Sequence, residues 1–468
     1  LLTKVLAMFR QAGTFIMRFR KELDRSLFKP APPEPARLAG WKRAVIIVAF
    51  VALAAFLQLL RLGPSNALNS LWAEDGMIFL GRAIVPHDFF PLLAVTHGEY
   101  LVVLPRLIGE VGAMAPLYHA PMAMNLVAVL FVALSGLAVW FASAGQIRSP
   151  YLRALLVALM ILCPVSTVEG VATPTNIAWY GAFAVFWLLL WRPATTWGAG
   201  LGALLILVTG LSTPATFFFF PIAFLRAIAI RNRRDTLIVG AYALAAAIQL
   251  HALAHSNEQV GVPIWTRHII TAFLQRVVDS SVLGLKLGGA TWAAWGWPFL
   301  VVIVVAVVAY LTALLFRASS SRLFAAIAVG TSVTMFLVSA YNRAPVGDLM
   351  VWPTGAYNAL GGRYTIIPTL LLIGAALALL DSVRPLSRGR PLVAIATATV
   401  LLVSLVTSFD VRVDDTGRGG PPWDESLRAA TAQCYSQGLA EVPVPTAPEG
   451  WTVAIPCDRL VSTDSPTQ

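Results

Sequence analysis

The chain has 468 residues, is 58% hydrophobic and only 12% charged, and has a mean hydropathy of +0.75. No water-soluble globular domain carries that much apolar surface, so the composition points to a polytopic membrane protein. The net charge of +11 does not indicate nucleic acid, because Arg and Lys gather in short connections between apolar runs, as in loops held on the cytoplasmic side of a membrane.

Residues 1–41 form a basic segment that reads as cytoplasmic and shows no signal-peptide cleavage pattern. Within it, MFRQAGTFIMRFRKEL could lie as an amphipathic helix on anionic lipid heads; the plainer reading is a tail that orients the first span. Apolar runs of about 20 residues, enough to cross a roughly 30 Å hydrocarbon layer, then predict about eleven spans. They fall near 42–61, 120–143, 152–170, 176–192, 197–211, 213–230, 235–253, 297–317, 322–341, 363–381 and 391–409. The basic links GQIRSPYLR, WRPATTWG, RNRRD, FRASSSR and SVRPLSRGRP then share the cytoplasmic side with the amino terminus. The remaining connections fall opposite.

One segment resists this layout. GEYLVVLPRLIGEVGAMAPLY, residues 98–118, is apolar enough to count as a span, yet it holds Pro105, Arg106 and Glu110. Counting it would put RNRRD on the wrong side, so 62–119 reads as an extracytoplasmic loop with two surface helices. The stretch 254–296 reads similarly, with a surface helix around HIITAFLQRVVDSSVLG. Residues 410–468 form a polar, proline-rich extracytoplasmic tail with one helical piece, DESLRAATAQC, and a short strand, WTVAIPC. Its Cys434 and Cys457 lie on the oxidising side and are predicted to pair. Cys163, at the end of a span, reads as a small packing residue.

The chemistry centres on LWAEDGMIFL, residues 71–80, where Glu74 and Asp75 sit among Leu71, Trp72, Met77, Ile78 and Phe79. Two adjacent acids can supply a general base with an electrostatic partner, or ligands for a divalent cation such as Mg or Mn. The competing structural reading makes Asp75 a helix cap and Glu74 a solvated neighbour. Arg82, Arg106, Arg267, Arg276, Lys286, Arg343 and Arg363 share the outer side against the orientation rule, which cations do when they face a partner or an anionic ligand. Arg363 stands out, because NALGGRYTIIP places it behind two glycines where a span opens. Arg343, Arg106 and Arg267 complete the candidate phosphate-binding set; pairing with Asp348, Glu110 or Asp279 would be the structural alternative. Trp72, Tyr100, Trp179, Tyr180 and Tyr364 could stack on a sugar ring or belong to the interfacial aromatic belt. EGVATPTNIAWY adds Glu169 and Asn176 at an outer span junction, where Asn176 could also cap the helix.

AEDGMIFLGRA followed by GEYLVVLPRL, TNIAWY and GGRY resembles the GT-C class of membrane glycosyltransferases, and more closely a set of uncharacterised bacterial membrane proteins of that fold. The resemblance implies an all-α, GT-C-like domain over 42–409 in a bacterial inner membrane. It further implies transfer of a sugar, with inversion, from a polyprenyl-phosphate carrier to an extracytoplasmic glycan or lipid acceptor. By analogy Asp75, with Glu74 assisting, deprotonates the acceptor hydroxyl or holds a metal at the donor phosphate. The chain departs from better-known members in lacking a large soluble carboxyl-terminal domain. A transporter or flippase of lipid-linked saccharide is the alternative from another class. Such a protein should carry ionisable residues near mid-membrane on broken helices, whereas here they cluster at one face.

Overall fold

The structure, a computed structural model, describes residues 17–32, 40–63, 67–256, 268–318, 320–343, 362–383, 390–409 and 420–463. The chain is built from helices, joined by two small antiparallel sheets of two strands each. Among the described residues seven helices are long and apolar enough to cross a membrane: Gly40–Leu62, Leu117–Gly145, Arg233–His255, Ile269–Arg317, Arg322–Asn342, Arg363–Ser382 and Pro391–Ser408. This is the architecture of an all-α polytopic membrane protein. Shorter apolar helices, Pro150–Ile161, Ala178–Leu190, Thr196–Gly210 and Pro214–Ile228, occupy the other four places where the sequence predicts spans.

Burial sorts these helices into a centre and a rim. Four-fifths of the apolar window of Arg363–Ser382 is enclosed by protein (83%), against 11% for Ile269–Arg317, although the latter is the more hydropathic. The first is thus the hub, enclosed by its neighbours, and the second an outer wall whose apolar surface is largely uncovered by protein. Ala178–Leu190 joins the hub, with Trp187 packed edge-on to Phe183 and Phe186 and against Phe324. Gly284, at φ +71°, breaks the long wall helix. A β-carbon there would meet the Ser408 hydroxyl at 2.0 Å, so both the turn and the close approach require glycine. Gly296, at φ +57°, breaks the helix again just before the apolar run of 297–317.

The polar contacts gather at the two ends of the helices. At one end the amino-terminal helix, residues 17–26, and the turn after it collect the basic links. Asp24 pairs with Arg192 and Arg231, and Gln146 donates to the Leu27 carbonyl at 2.6 Å. Lys29 reaches Ser320 and Ser321, and Asp381 accepts from the amides of Arg148 and Ser149. Pro150–Ile161, Ala178–Leu190 and Arg363–Ser382 run from this basic end to the opposite one, where Glu74, Asp75 and Glu169 lie.

The carboxyl-terminal piece folds at the acidic end. A helix, Trp423–Gln437, is followed by strands β3 (Glu441–Thr446) and β4 (Trp451–Pro456) and a short closing helix, Cys457–Thr463. Val442, Val444, Val453 and Ile455 point inward in the two-residue alternation of a half-buried hairpin. Cys434 and Cys457 are disulfide-bonded, as the sequence predicts, and Cys163 is buried. The unit clamps the acid loop at several points. The Trp423 amide donates to the Asn69 carbonyl at 2.8 Å, and Asn69 and Asp424 bond reciprocally. The amide of Ala447 donates to the Leu71 carbonyl at 3.0 Å, and that of Ala73 donates back to Ala447.

Closing a loop of 23 residues stabilises such a unit by about 3 kcal/mol in the chain-entropy account. Reduction, or Cys434→Ser, is therefore expected to speed amide exchange in 420–456 and, through the clamp, in 69–76, with the buried membrane helices unaffected. Hydrogen-exchange mass spectrometry with and without reductant reads this directly. Faster exchange in the tail with none at 69–76 would show that the clamp does not hold the acid loop.

Candidate functional site

The acid loop is held in a helix over 73–83 whose middle, Asp75–Leu80, is wound as a wider π-turn. Single π-turns cost hydrogen-bond geometry and concentrate at functional sites. The Asp75 side chain is fully buried, and its Oδ1 accepts from the Thr175 amide at 2.8 Å and the Thr175 hydroxyl at 2.5 Å. Donors aimed at a carboxylate make the strong, charge-assisted kind of hydrogen bond, which is how a buried anion is tolerated among apolar neighbours. Glu74 is half-buried. Gly76 makes this packing possible: a β-carbon there would lie 2.8 Å from Val453 and 2.9 Å from Thr446, on the tail hairpin.

The first span holds the start of the loop that carries Thr175. Gln58 and Arg61, in the last turns of Gly40–Leu62, reach the carbonyls at the end of Pro150–Ile161 and just beyond. Gln58 donates to Ile161 at 2.7 Å, and Arg61 donates to Leu162 and Cys163 at 3.0 Å each and to Ser166. A cation over the last carbonyls of a helix satisfies groups that have no partner inside it. The loop then folds on itself. Thr173 and Asn176 both donate to the Glu169 carbonyl, at 2.6 and 2.8 Å.

The Glu169 carboxylate, almost fully buried, faces Arg363 at 3.1 Å. Arg363 opens the hub helix, stacks over the Tyr364 ring at 5.2 Å, and lies within the electrostatic field of Glu74. Tyr364 meets Trp179 edge-on at 5.3 Å. Three distant stretches thus converge at one end of the helices, bringing Glu74, Asp75, Thr175, Glu169, Trp179, Arg363 and Tyr364 together. Backbone strain collects at the same end. Ala73, Glu99 and Ala172 have φ of +31°, +78° and +51°, and no other non-glycine among the described residues is positive. Each costs on the order of 1–3 kcal/mol, a cost that persists where surrounding structure enforces it.

Other residues singled out by the sequence lie elsewhere or are engaged. Trp72 is buried in a small cluster with Ala73, Ala172 and Ala447, where it forms part of the tail clamp. Tyr180 is wholly buried and donates to the Ser166 hydroxyl at 2.9 Å. The Asn176 amide is spent on the Glu169 carbonyl. Tyr100 sits in a two-residue strand, β2 (Tyr100–Leu101), paired with β1 (Thr96–His97). Arg106 is buried on the neighbouring helix, Val103–Met114, and Glu110 of that helix pairs with His87 at 2.8 Å. Arg267 and the side chain of Arg343 lie outside the described residues, as does Asp348.

Thr175 and the partnership of Glu169 with Arg363 escape sequence reasoning. The polar run EGVATPTN marks the segment, but nothing local says which side chain meets which helix. Among the described residues no three His, Cys, Asp or Glu side chains come together as a metal-ligand set. No protein-family model matches the chain, and a comparison with curated proteins finds no similar sequence. The chemistry therefore has to be argued from the site itself.

Proposed function

We propose that this protein is a membrane glycosyltransferase of the GT-C kind, transferring a sugar from a polyprenyl-phosphate carrier to an acceptor hydroxyl with inversion. In this reading the seven long apolar helices cross a bacterial inner membrane, and the four shorter ones pack among them within it. The amino-terminal, basic end lies in the cytoplasm, and the acidic end, with the disulfide-bonded tail, lies outside. The observation that carries it is the meeting of a half-buried acid, a fully buried and clamped one, and a guanidinium at one end of the helices. That is the depth at which a carrier lipid would present its phosphate. A disulfide in the unit beside the acids is also what the oxidising side of the membrane favours.

Each group then has a role. Glu74, the more open acid, accepts the proton of the acceptor hydroxyl as that oxygen attacks the anomeric carbon. The bond from that carbon to the phosphate oxygen breaks, and the carrier phosphate leaves with the electron pair. Asp75 is a positioning residue: it ties the π-turn to Thr175 and so fixes Glu74. This division differs from the one implied by the family resemblance, which puts Asp75 first, and it follows from burial. Arg363, paired with Glu169 and within the field of Glu74, supplies fixed positive charge, and Trp179 with Tyr364 offers an aromatic wall for a sugar ring.

The test is transfer by the purified protein, in nanodiscs, from short-chain polyprenyl-phosphate sugars to glycan and lipid acceptors. Release of polyprenyl phosphate in step with a new inverted glycoside is the expected result. If no donor yields a glycoside, while proteoliposomes carry the intact lipid-linked sugar across the bilayer, the protein is a transporter and this reading fails.

A further inference from the structure

Arg106 is out of balance with its surroundings. It lies in the first turns of Val103–Met114, is 2% exposed, and spends one donor, Nε, on the Val95 carbonyl at 3.0 Å. Its two terminal nitrogens, Nη1 and Nη2, are buried with no hydrogen-bond partner. The like charge of Arg82 acts on it, and Glu110, one helical turn away, is turned to His87. The ring of Phe79, on the π-turn, lies 6.0 Å from its guanidinium carbon. Burial and Arg82 lower its pKa to about 10, so the group is still a cation at neutral pH.

A buried cation with two idle donors and a second cation beside it is costly as a structural element, because the desolvation of the charge is not offset. Both costs disappear when an anion with two acceptor oxygens docks on the planar fork of the guanidinium, and a phosphate has that geometry. The cover over the site is slight. The hairpin of β1 and β2 has only two residue pairs, with His97 edge-on to Phe79, and it is pinned at Leu101 by Gln249. So short a hairpin is marginal on its own and can yield to a ligand.

We propose that Arg106, with the like-charged Arg82 acting on it, is a phosphate-binding site beside Phe79 of the π-turn that Asp75 opens. The site stands on its own geometry; identifying its phosphate as that of the polyprenyl carrier rests on the function proposed above. In that case Arg106 anchors the donor, and Arg363, already paired with Glu169, organises the acids.

The experiment measures binding, not transfer. The protein is held in phosphatidylcholine nanodiscs in phosphate-free buffer and titrated with inorganic phosphate in one arm and farnesyl monophosphate in the other. Binding is read by isothermal titration and by the shift in unfolding temperature. Losing a charge-assisted fork should make Arg106→Met bind about tenfold to a hundredfold more weakly. Reversing the exposed charge in Arg82→Glu should weaken binding by about tenfold. Without phosphate, Arg106→Met should unfold no earlier than wild type, whereas a merely structural arginine would leave a less stable protein. Preference for farnesyl monophosphate assigns the site to a lipid phosphate; equal affinity for the two probes assigns it to the free anion. Failure of both probes to bind overturns the proposal, as does wild-type affinity in both variants. If Arg106→Met does not fold, Arg82→Glu decides alone. Because no sugar is transferred in these titrations, a binding site without transferase activity, or the reverse, is recognised as such.

Discussion

The Glu74→Gln protein is expected to transfer sugar about a hundred to ten thousand times more slowly than wild type, the range that a positioned general base contributes. It should also unfold at the wild-type temperature. The second half of the expectation comes from burial: Glu74 is only half-buried, so a neutral amide of the same shape costs little desolvation. Asp75→Asn should behave in the opposite way. Its side chain is wholly buried and accepts two bonds from Thr175. Removing the charge weakens both bonds and brings an amide donor into a space shaped for an acceptor, a loss of about 1–3 kcal/mol. Turnover then falls because the π-turn loosens, and Thr175→Val should reproduce that pattern. Paired turnover and unfolding measurements on the three variants separate the roles. If Asp75→Asn abolished turnover at an unchanged unfolding temperature while Glu74→Gln stayed active, the assignment would be reversed.

The features legible in the sequence are the ones encoded locally. An apolar run of span length is recognisable wherever it occurs, so most of the long helices and the four shorter ones lie where hydropathy places apolar runs, whereas Ile269–Arg317 also takes in residues read from the sequence as part of an outer loop. The basic links are equally visible, and Asp24, Lys29 and Asp381 gather them at one end. The pairing of Cys434 with Cys457 follows from cysteine arithmetic once the tail is seen to be polar and separate. By contrast, the winding of Asp75–Leu80 into a π-turn leaves no mark in the hydrophobic period, since Gly76 owes its place to Val453 and Thr446, far along the chain.

Long-range pairing explains the other differences. Arg363 finds Glu169, a residue that the sequence marks as polar but cannot link to it. Trp72, which has the composition of a sugar platform, is enclosed by a tail whose docking surface is spread over Asn69, Leu71 and Ala73. In each case the local pattern identifies a segment that matters and leaves open which surface it meets. The tail shows the functional side of this. A unit too small to bury a membrane-scale core is joined by backbone hydrogen bonds to the strained residue that precedes Glu74. Its stability is therefore coupled to the geometry of the acids.

That geometry also depends on the ion pair between Glu169 and Arg363. Removing one member of a fully buried pair costs about 3–5 kcal/mol, because the other is left as an uncompensated charge. Glu169 is buried, but Arg363 keeps 29% of its side chain exposed and has the Tyr364 ring and the field of Glu74 to fall back on. Glu169→Gln is therefore expected to lower the unfolding free energy by about 2 kcal/mol, between the buried and the surface limits. In a double-mutant cycle with Arg363→Gln most of that loss should appear as coupling, since the two side chains are in contact. Arg363→Gln alone should also slow transfer by about a hundredfold, the order found when one fixed electrostatic donor is removed from a charge-separating step. The two readouts test different things. A coupling near zero would mean that the contact at 3.1 Å contributes nothing to the fold. Full turnover in Arg363→Gln would mean that its charge plays no part in the chemistry, leaving the acids without the cation on which their proposed role depends.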